Sequence, residues 1–295
     1  MPGNEHARTA LFFLAPALIA IGVFFALPVI AALLMSFTDF DIYSLGNWRF
    51  ARFVGIKNYA DLINDPLFWT ALKNTAYFLF VGGPLSVVTS LVAALLLQSK
   101  LVRFKGAFRT AYFAPVVTTL VAVAVVWRFV YHPRFGLLNY ALSFVGIGPI
   151  DWLGDPNWAM PAIILMAVWK NFGYNMIIFI AGLQNIPQEL YEAASIDGAG
   201  GWKQFTTITI PMLAPTTLFI TIITMIGYIQ LFAEPYVMTQ GGPLHATLSI
   251  VLLMYEQGFR WWNMGYSAAV AFVLFAIILA GSVIQTVMSK RLKTA

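Results

Sequence analysis

The sequence predicts an all-α membrane protein with six transmembrane helices, on three observations. Only 10% of the 295 residues are charged and 60% are hydrophobic, whereas a soluble domain carries about 25% charged residues. Much of the surface must therefore face something other than water. Six stretches reach the roughly 20 apolar residues needed to cross a bilayer. The connectors between them distribute Lys and Arg unevenly, as the positive-inside rule expects of a multi-pass chain.

The first apolar run, residues 10–37, lies in an uncharged stretch from Thr9 to Thr38. That is longer than the core of a signal peptide, and it is expected to be the first span. A polar connector follows to Ala71, holding Asp39, Asp41, Arg49, Arg52, Lys57, Asp61 and Asp65. Span two, residues 72–98, is interrupted by Gly82-Gly-Pro84; membrane helices tolerate such breaks where neighbours satisfy the freed backbone. A short connector carries Lys100, Arg103, Lys105 and Arg109. Span three is expected at 110–131, with Arg128 placed to snorkel. A Gly-, Pro- and Trp-rich connector leads to span four, 158–183, which contains Lys170. Span five is expected at 209–233 and span six at 261–288, before a basic tail of Lys290, Arg291 and Lys293.

With both termini in the cytoplasm, nine basic residues fall inside: Arg8, the four at 100–109, Lys203 and the three of the tail. Arg49, Arg52, Lys57, Arg134 and Arg260 stay outside, spread over longer loops. The tight cluster at 100–109 sets this orientation, which puts the connector between spans four and five in the cytoplasm. The net charge of +5 follows from these flanking residues and calls for no nucleic-acid partner. The chain has no cysteine, so neither disulfides nor thiolate chemistry enter the reading.

That cytoplasmic connector is a polar island with its own structure. Pro187 suits the first turn of a helix, and Glu189 lies where a negative charge is favoured. Leu190, Ala193 and Ala194 share a face, and Asp197-Gly198 is a stop signal. A second helical run follows with Phe205 and Ile208 one turn apart, and Pro211 and Pro215 mark entry into span five. From helix physics alone this is an ordinary amphipathic connector. The pattern Glu192-Ala-Ala-x-x-Asp-Gly-Ala199, then Phe205, Ile208, Ile210, Pro211 and Pro215, is more specific. It resembles the EAA loop of the permease subunits of binding-protein-dependent ABC importers.

Phe53-Val-Gly-Ile-Lys-Asn-Tyr59, Asp65-Pro-Leu-Phe-Trp-Thr-Ala-Leu-Lys-Asn-Thr75, Gly241-Gly-Pro243 and the opening Pro16, Pro28 and Ser36-Phe-Thr-Asp39 extend the likeness over most of the chain. They look like the carbohydrate-uptake branch, and within it the maltose- and glycerol-phosphate-type first subunit. The resemblance implies one type I importer permease domain (MetI-like) over residues 1–295, in a bacterial or archaeal inner membrane, with a coupling loop at about 186–208. Glu192, Ala193, Ala194, Asp197, Gly198 and Ala199 would dock into an ATPase. The implied partners are a second permease, two ATP-binding subunits and an external solute-binding protein, which Gly241, Gly242 and Pro243 would touch.

Two polar patches could line a solute pathway. Lys170 is joined on span four by Asn171, Tyr174 and Asn175; an ionisable group inside a span is expensive and turns inward. Interhelical hydrogen bonding is the plainer reading of the same residues. On span five, Thr217, Thr221, Thr224 and Tyr228 form one narrow stripe, although threonines also bond their own helix. In this family the solute contacts lie on the helices flanking the EAA loop, which favours Lys170, Asn171, Tyr174, Thr224 and Tyr228. Amides, hydroxyls and rings suit a sugar, while Lys170 leaves an anionic solute open.

No catalytic or metal-binding constellation is present in the sequence. His6, His132 and His245 are isolated, and no G-x-x-x-x-G-K-[ST] phosphate loop occurs. The chain is expected to be a transport subunit rather than an enzyme, with ATP bound by its partners and no cofactor of its own. An ion-gradient-driven carrier is the alternative; no inverted repeat of the kind such carriers hold is visible.

Overall fold

The computed structural model describes residues 3–99 and 102–294, without the side chains of 3–8, 45, 48 and 288–294. The basic side chains of Arg8, Lys100, Lys290, Arg291 and Lys293 thus lie outside the described residues. The described chain is helical, with no strand beyond one bridge pairing Thr38 with Phe53.

Five helices are long and apolar enough to cross a membrane: α1 (Thr9–Met35), α3 (Pro66–Gln98), α7 (Pro156–Gln184), α9 (Gly201–Ile229) and α11 (Met264–Val287). Two further helices, α4 (Lys105–Val117) and α5 (Leu120–Val130), are apolar enough only as a pair and meet at 101°, which makes a sixth span if the bent pair crosses as one. Shorter helices are α2 (Lys57–Asn64), α6 (Leu137–Ser143), α8 (Gln188–Ile196) and α10 (Ala233–Met238).

The structure corrects the single span expected at 110–131. Pro115 sits in the last turn of α4, where it removes a hydrogen bond. Thr118 and Thr119 are then extended, and the Thr118 hydroxyl donates to the Pro115 carbonyl at 2.6 Å. Helix α3 begins at Pro66, six positions before the expected start, because Asp65 caps it. One carboxylate oxygen accepts the Leu67 N–H at 2.8 Å and Pro66 occupies the first turn. The Gly-Gly-Pro break is absorbed by a π-helical turn, Phe78–Gly82, a known way to insert a residue without ending a helix. A second such turn, Phe205–Thr209, makes α9 continuous from Gly201, so the helix starts earlier than span five was expected to.

Chain contacts define two compact units, each described alone. One comprises Met1–Phe68 with Leu253–Ala276. Its long apolar α1 has no buried position in its most apolar window. Below α1 the chain is stapled by the Phe53–Tyr59 motif. Buried Asn58 donates to the Ser36 and Thr38 carbonyls, both at 2.8 Å, and Tyr59 shares a 2.8 Å hydrogen bond with Ser36. Gly55 supplies the positive φ that turns the chain into α2. Tyr266 donates to the second Asp65 oxygen at 2.7 Å.

The other unit, Trp69–Leu252 with Ile277–Ala295, is organised around α7. Ile163, Met166, Met176 and Phe179 of that helix are fully buried. It packs most extensively on α3, where the Ser90 hydroxyl reaches the Phe172 carbonyl at 2.9 Å. It also meets α4 through Gly173: a Cβ there would lie 2.1 Å from the Tyr112 carbonyl oxygen. Small residues allow this close approach in membranes. Asn139 orders the 132–157 connector, donating to Pro133 and Ile150 and accepting from Trp152 at 2.8 Å.

Candidate functional site: a membrane cavity and a helical hairpin

Helices α7 and α9 together wall a cavity of about 530 Å³. Asn171, Tyr174 and Asn175 come from α7, and Thr224, Gly227 and Tyr228 from α9. Phe78 of α3, Val116 and Leu120 of the broken span, and the 230–234 stretch complete the lining. Four of the five expected pathway residues therefore converge: Asn171, Tyr174, Thr224 and Tyr228. Lys170 is not among the lining residues. The stripe at 171, 174 and 175 turns into the cavity, and Lys170 sits at its edge.

The polar groups are not equivalent. Asn175 donates to the Thr224 hydroxyl at 3.1 Å, both buried, so this pair ties α7 to α9. Thr221 donates to the Thr217 carbonyl at 2.7 Å, satisfying its own helix. The Tyr228 ring is wedged against Phe78, with centroids 4.7 Å apart, and over Gly82, where a Cβ would come within 2.9 Å of the ring. Its hydroxyl lies near Ser86 and Asn171 but meets neither in hydrogen-bond geometry, and the buried Ser86 hydroxyl is likewise without a partner. Buried unpaired hydroxyls are costly, and both of these are closed to solvent in this conformation.

Glu234, in α10 just beyond the span, was missed by the sequence reading, as were Gln230 and Phe232. A lone carboxylate one turn past an apolar stripe was the available signal. Burial pushes the Glu234 carboxyl above its ordinary range, and the charge of Lys170 opposes that shift.

Residues 188–204, comprising α8 and the first turn of α9, fold into a tight helical hairpin. Helix α8 ends in a Schellman motif: the Ala199 N–H donates to the Ala194 carbonyl at 2.8 Å and the Gly198 N–H to Ser195 at 3.1 Å. Gly198 takes φ +75°, as this cap requires. Gln204 then donates to the Ala199 carbonyl and the Ser195 hydroxyl, both at 2.9 Å. Tyr191 and Thr209 share a 2.9 Å hydrogen bond. Asp197 is the C-cap residue, and Glu192 and Ala193 are exposed on α8. Ile196 and Trp202 are 87% and 77% exposed; they give the hairpin an apolar tip that the motif had not indicated.

The Gly241-Gly242-Pro243 loop is pinned to α3. Asn74 donates to the His245 and Leu248 carbonyls at 2.8 and 3.0 Å, and Thr75 accepts the Ile250 N–H at 3.1 Å. Thr247 bonds both Thr239 and the Gly242 carbonyl at 2.7 Å. Gly241 is buried at φ +81° against Leu248 and Leu252, while the neighbouring Leu244 is 88% exposed. The surface this loop offers is thus its 244–245 tip rather than Gly241.

Comparison with known proteins agrees with this architecture. Residues 9–294 match the family model described as binding-protein-dependent transport system inner membrane component. The lactose transport system permease protein LacF of Rhizobium radiobacter is 40% identical over 92% of this chain and 91% of its own length. The sn-glycerol-3-phosphate transport system permease protein UgpA of Agrobacterium fabrum is 37% identical over 92% and 91%. A solved bacterial ABC transporter that imports the acidic polysaccharide alginate shares the fold, with a TM-score of 0.79 at 23% identity over 97% of this chain and 96% of that one. With the helices, the hairpin and the cavity in place, the chain belongs to the inner membrane permease components of binding-protein-dependent transport systems.

Proposed function

We propose that this permease forms half of the pathway of an ATP-driven carbohydrate importer, with both termini in the cytoplasm. A second permease supplies the other half, and an external solute-binding protein delivers the solute. Two ATP-binding subunits supply the power, and the 188–204 hairpin docks on one of them. The chain binds no nucleotide itself and needs no cofactor.

The observation that carries this reading is connectivity. The two helices that line the cavity, α7 and α9, are the two that run directly into the hairpin. From Asn171 to the end of α7 is about 20 Å of uninterrupted helix at 1.5 Å per residue. Displacement of the hairpin is therefore transmitted to the cavity wall along continuous α9, and into α7 through the short 185–187 link. Exposed Glu192 and Ala193, with exposed Ile196 and Trp202 at the hairpin tip, suit insertion into a cleft. Kinship with permeases named for lactose and for glycerol phosphate supports a carbohydrate-like solute. The exposed tip at Leu244 suits contact with the external protein.

The test is purification of the complex with its native partners and reconstitution into vesicles. ATP-dependent sugar uptake that is lost on Glu192→Lys, with assembly intact, is the expected result. Uptake driven by an ion gradient without any ATP-binding subunit refutes it, as does labelling of Ala193→Cys from the exterior.

A further inference from the structure

Family membership leaves the charge of the solute open, because lactose is neutral and glycerol phosphate is an anion. The cavity wall is more informative. Among its lining residues there is one carboxylate, Glu234, and no cation. Glu234 is partly buried and forms no ion pair among the described residues. Lys170, the obvious anchor for an anion, stays off the lining, and its charge is felt by Glu234. The amides of Asn171 and Gln230 and the rings of Tyr174 and Phe232 complete the polar and aromatic surface around it.

Resting on the carbohydrate-pathway reading above, we propose that Glu234 is a specificity-determining residue that restricts this cavity to uncharged carbohydrate and rejects acidic or phosphorylated solutes. A carboxylate accepts sugar hydroxyls through charge-assisted hydrogen bonds, which are stronger than neutral ones. Protonated, the same group donates one hydrogen bond and accepts others. Only the ionised form repels an anion, and no lining residue offers an anion a positive charge in compensation. An anionic group about 6–12 Å from the ionised carboxylate is disfavoured by roughly tenfold to a hundredfold at an effective dielectric near 20. The volume falls within the range of about 300–1,000 Å³ typical of small-molecule sites, enough for a short oligosaccharide.

The experiment uses the purified full complex without its binding protein, so that selection at the cavity is read alone. Equilibrium binding is measured for a panel of neutral di- and trisaccharides and their uronic-acid counterparts. The wild-type complex is expected to bind neutral members at least about tenfold more tightly than their acidic partners. Glu234→Asp keeps that ratio, Glu234→Gln brings it towards one, and Glu234→Lys inverts it. Tighter binding of the acidic members by wild type, an unchanged ratio in Glu234→Gln, or no binding of any neutral member overturns the proposal. ATP hydrolysis stimulated by the binding protein, measured on the same preparation, reports the importer reading separately, since equilibrium binding requires no turnover.

Discussion

Gly173→Ala tests the packing on which the cavity depends. The added Cβ would sit 2.1 Å from the Tyr112 carbonyl oxygen, 2.9 Å from its carbonyl carbon and 3.2 Å from the Phe113 Cα. All three are backbone atoms, so no side chain can rotate away. A carbon and a carbonyl oxygen approach to about 3.3 Å at closest, so α4 and α7 must part by roughly 1 Å. Overpacking of this kind costs about 1–3 kcal/mol, and with rigid backbone on both sides the upper end applies. At about 2–4 °C per kcal/mol for a chain of this size, the apparent Tm should fall by roughly 6–12 °C. The assay is thermal unfolding of the detergent-purified complex at one fixed scan rate, which matters because such unfolding is often irreversible. Uptake should fall as well, since Asn171 and Tyr174 flank Gly173 on the cavity wall. Gly106→Ala is the control: it lies on α4 with nothing within 4 Å of its Cβ, and should leave the Tm unchanged or slightly raised. An unchanged Tm in Gly173→Ala would refute the close approach of the two helices.

Three further outcomes are expected. Gly198→Val meets open space around its Cβ but must hold φ +75°, which costs a β-branched residue about 1–2 kcal/mol; ATP-coupled uptake should drop, with Gly198→Asn less affected, and equal activity in both would count against the capped hairpin as the coupling element. Tyr228→Phe removes a hydroxyl that has no protein partner, so stability should hold or rise while uptake falls; unchanged uptake would place that hydroxyl outside the solute's reach. Asn58→Ala strands two buried carbonyl contacts and should cost about 2–3 kcal/mol, read as faster proteolysis around 36–58.

The hairpin was legible because its chemistry is local. Gly198 reflects a cap that needs a left-handed residue after Asp197, and that requirement is visible in the residue itself. The cavity was half legible: a helical stripe identifies which residues share a face, so Asn171, Tyr174, Thr224 and Tyr228 could be grouped. It does not reveal the edge of the stripe, which is why Lys170 was included. Glu234 escaped because it follows the span in sequence and returns to it only through the fold. The break at Thr118 was hidden by hydropathy, which is uniform across 110–131; Pro115 was the signal, but a proline bends some membrane helices and snaps others. The Asn58 and Asn74 motifs stood out as patterns, yet their work as clasps needed partners 20 to more than 170 positions away.

The clasp between Asn74 and the 245–248 carbonyls has a mechanical corollary. Eight residues separate Asn74 from Gly82, about 12 Å along one helix, and Gly82 is where Tyr228 rests its ring. The 244–245 tip and one wall of the cavity thus hang from the same girder. In the importer proposed above, a pull exerted on Leu244 would travel down α3 to that ring, so arrival of a visitor above and loosening below would share a single strut.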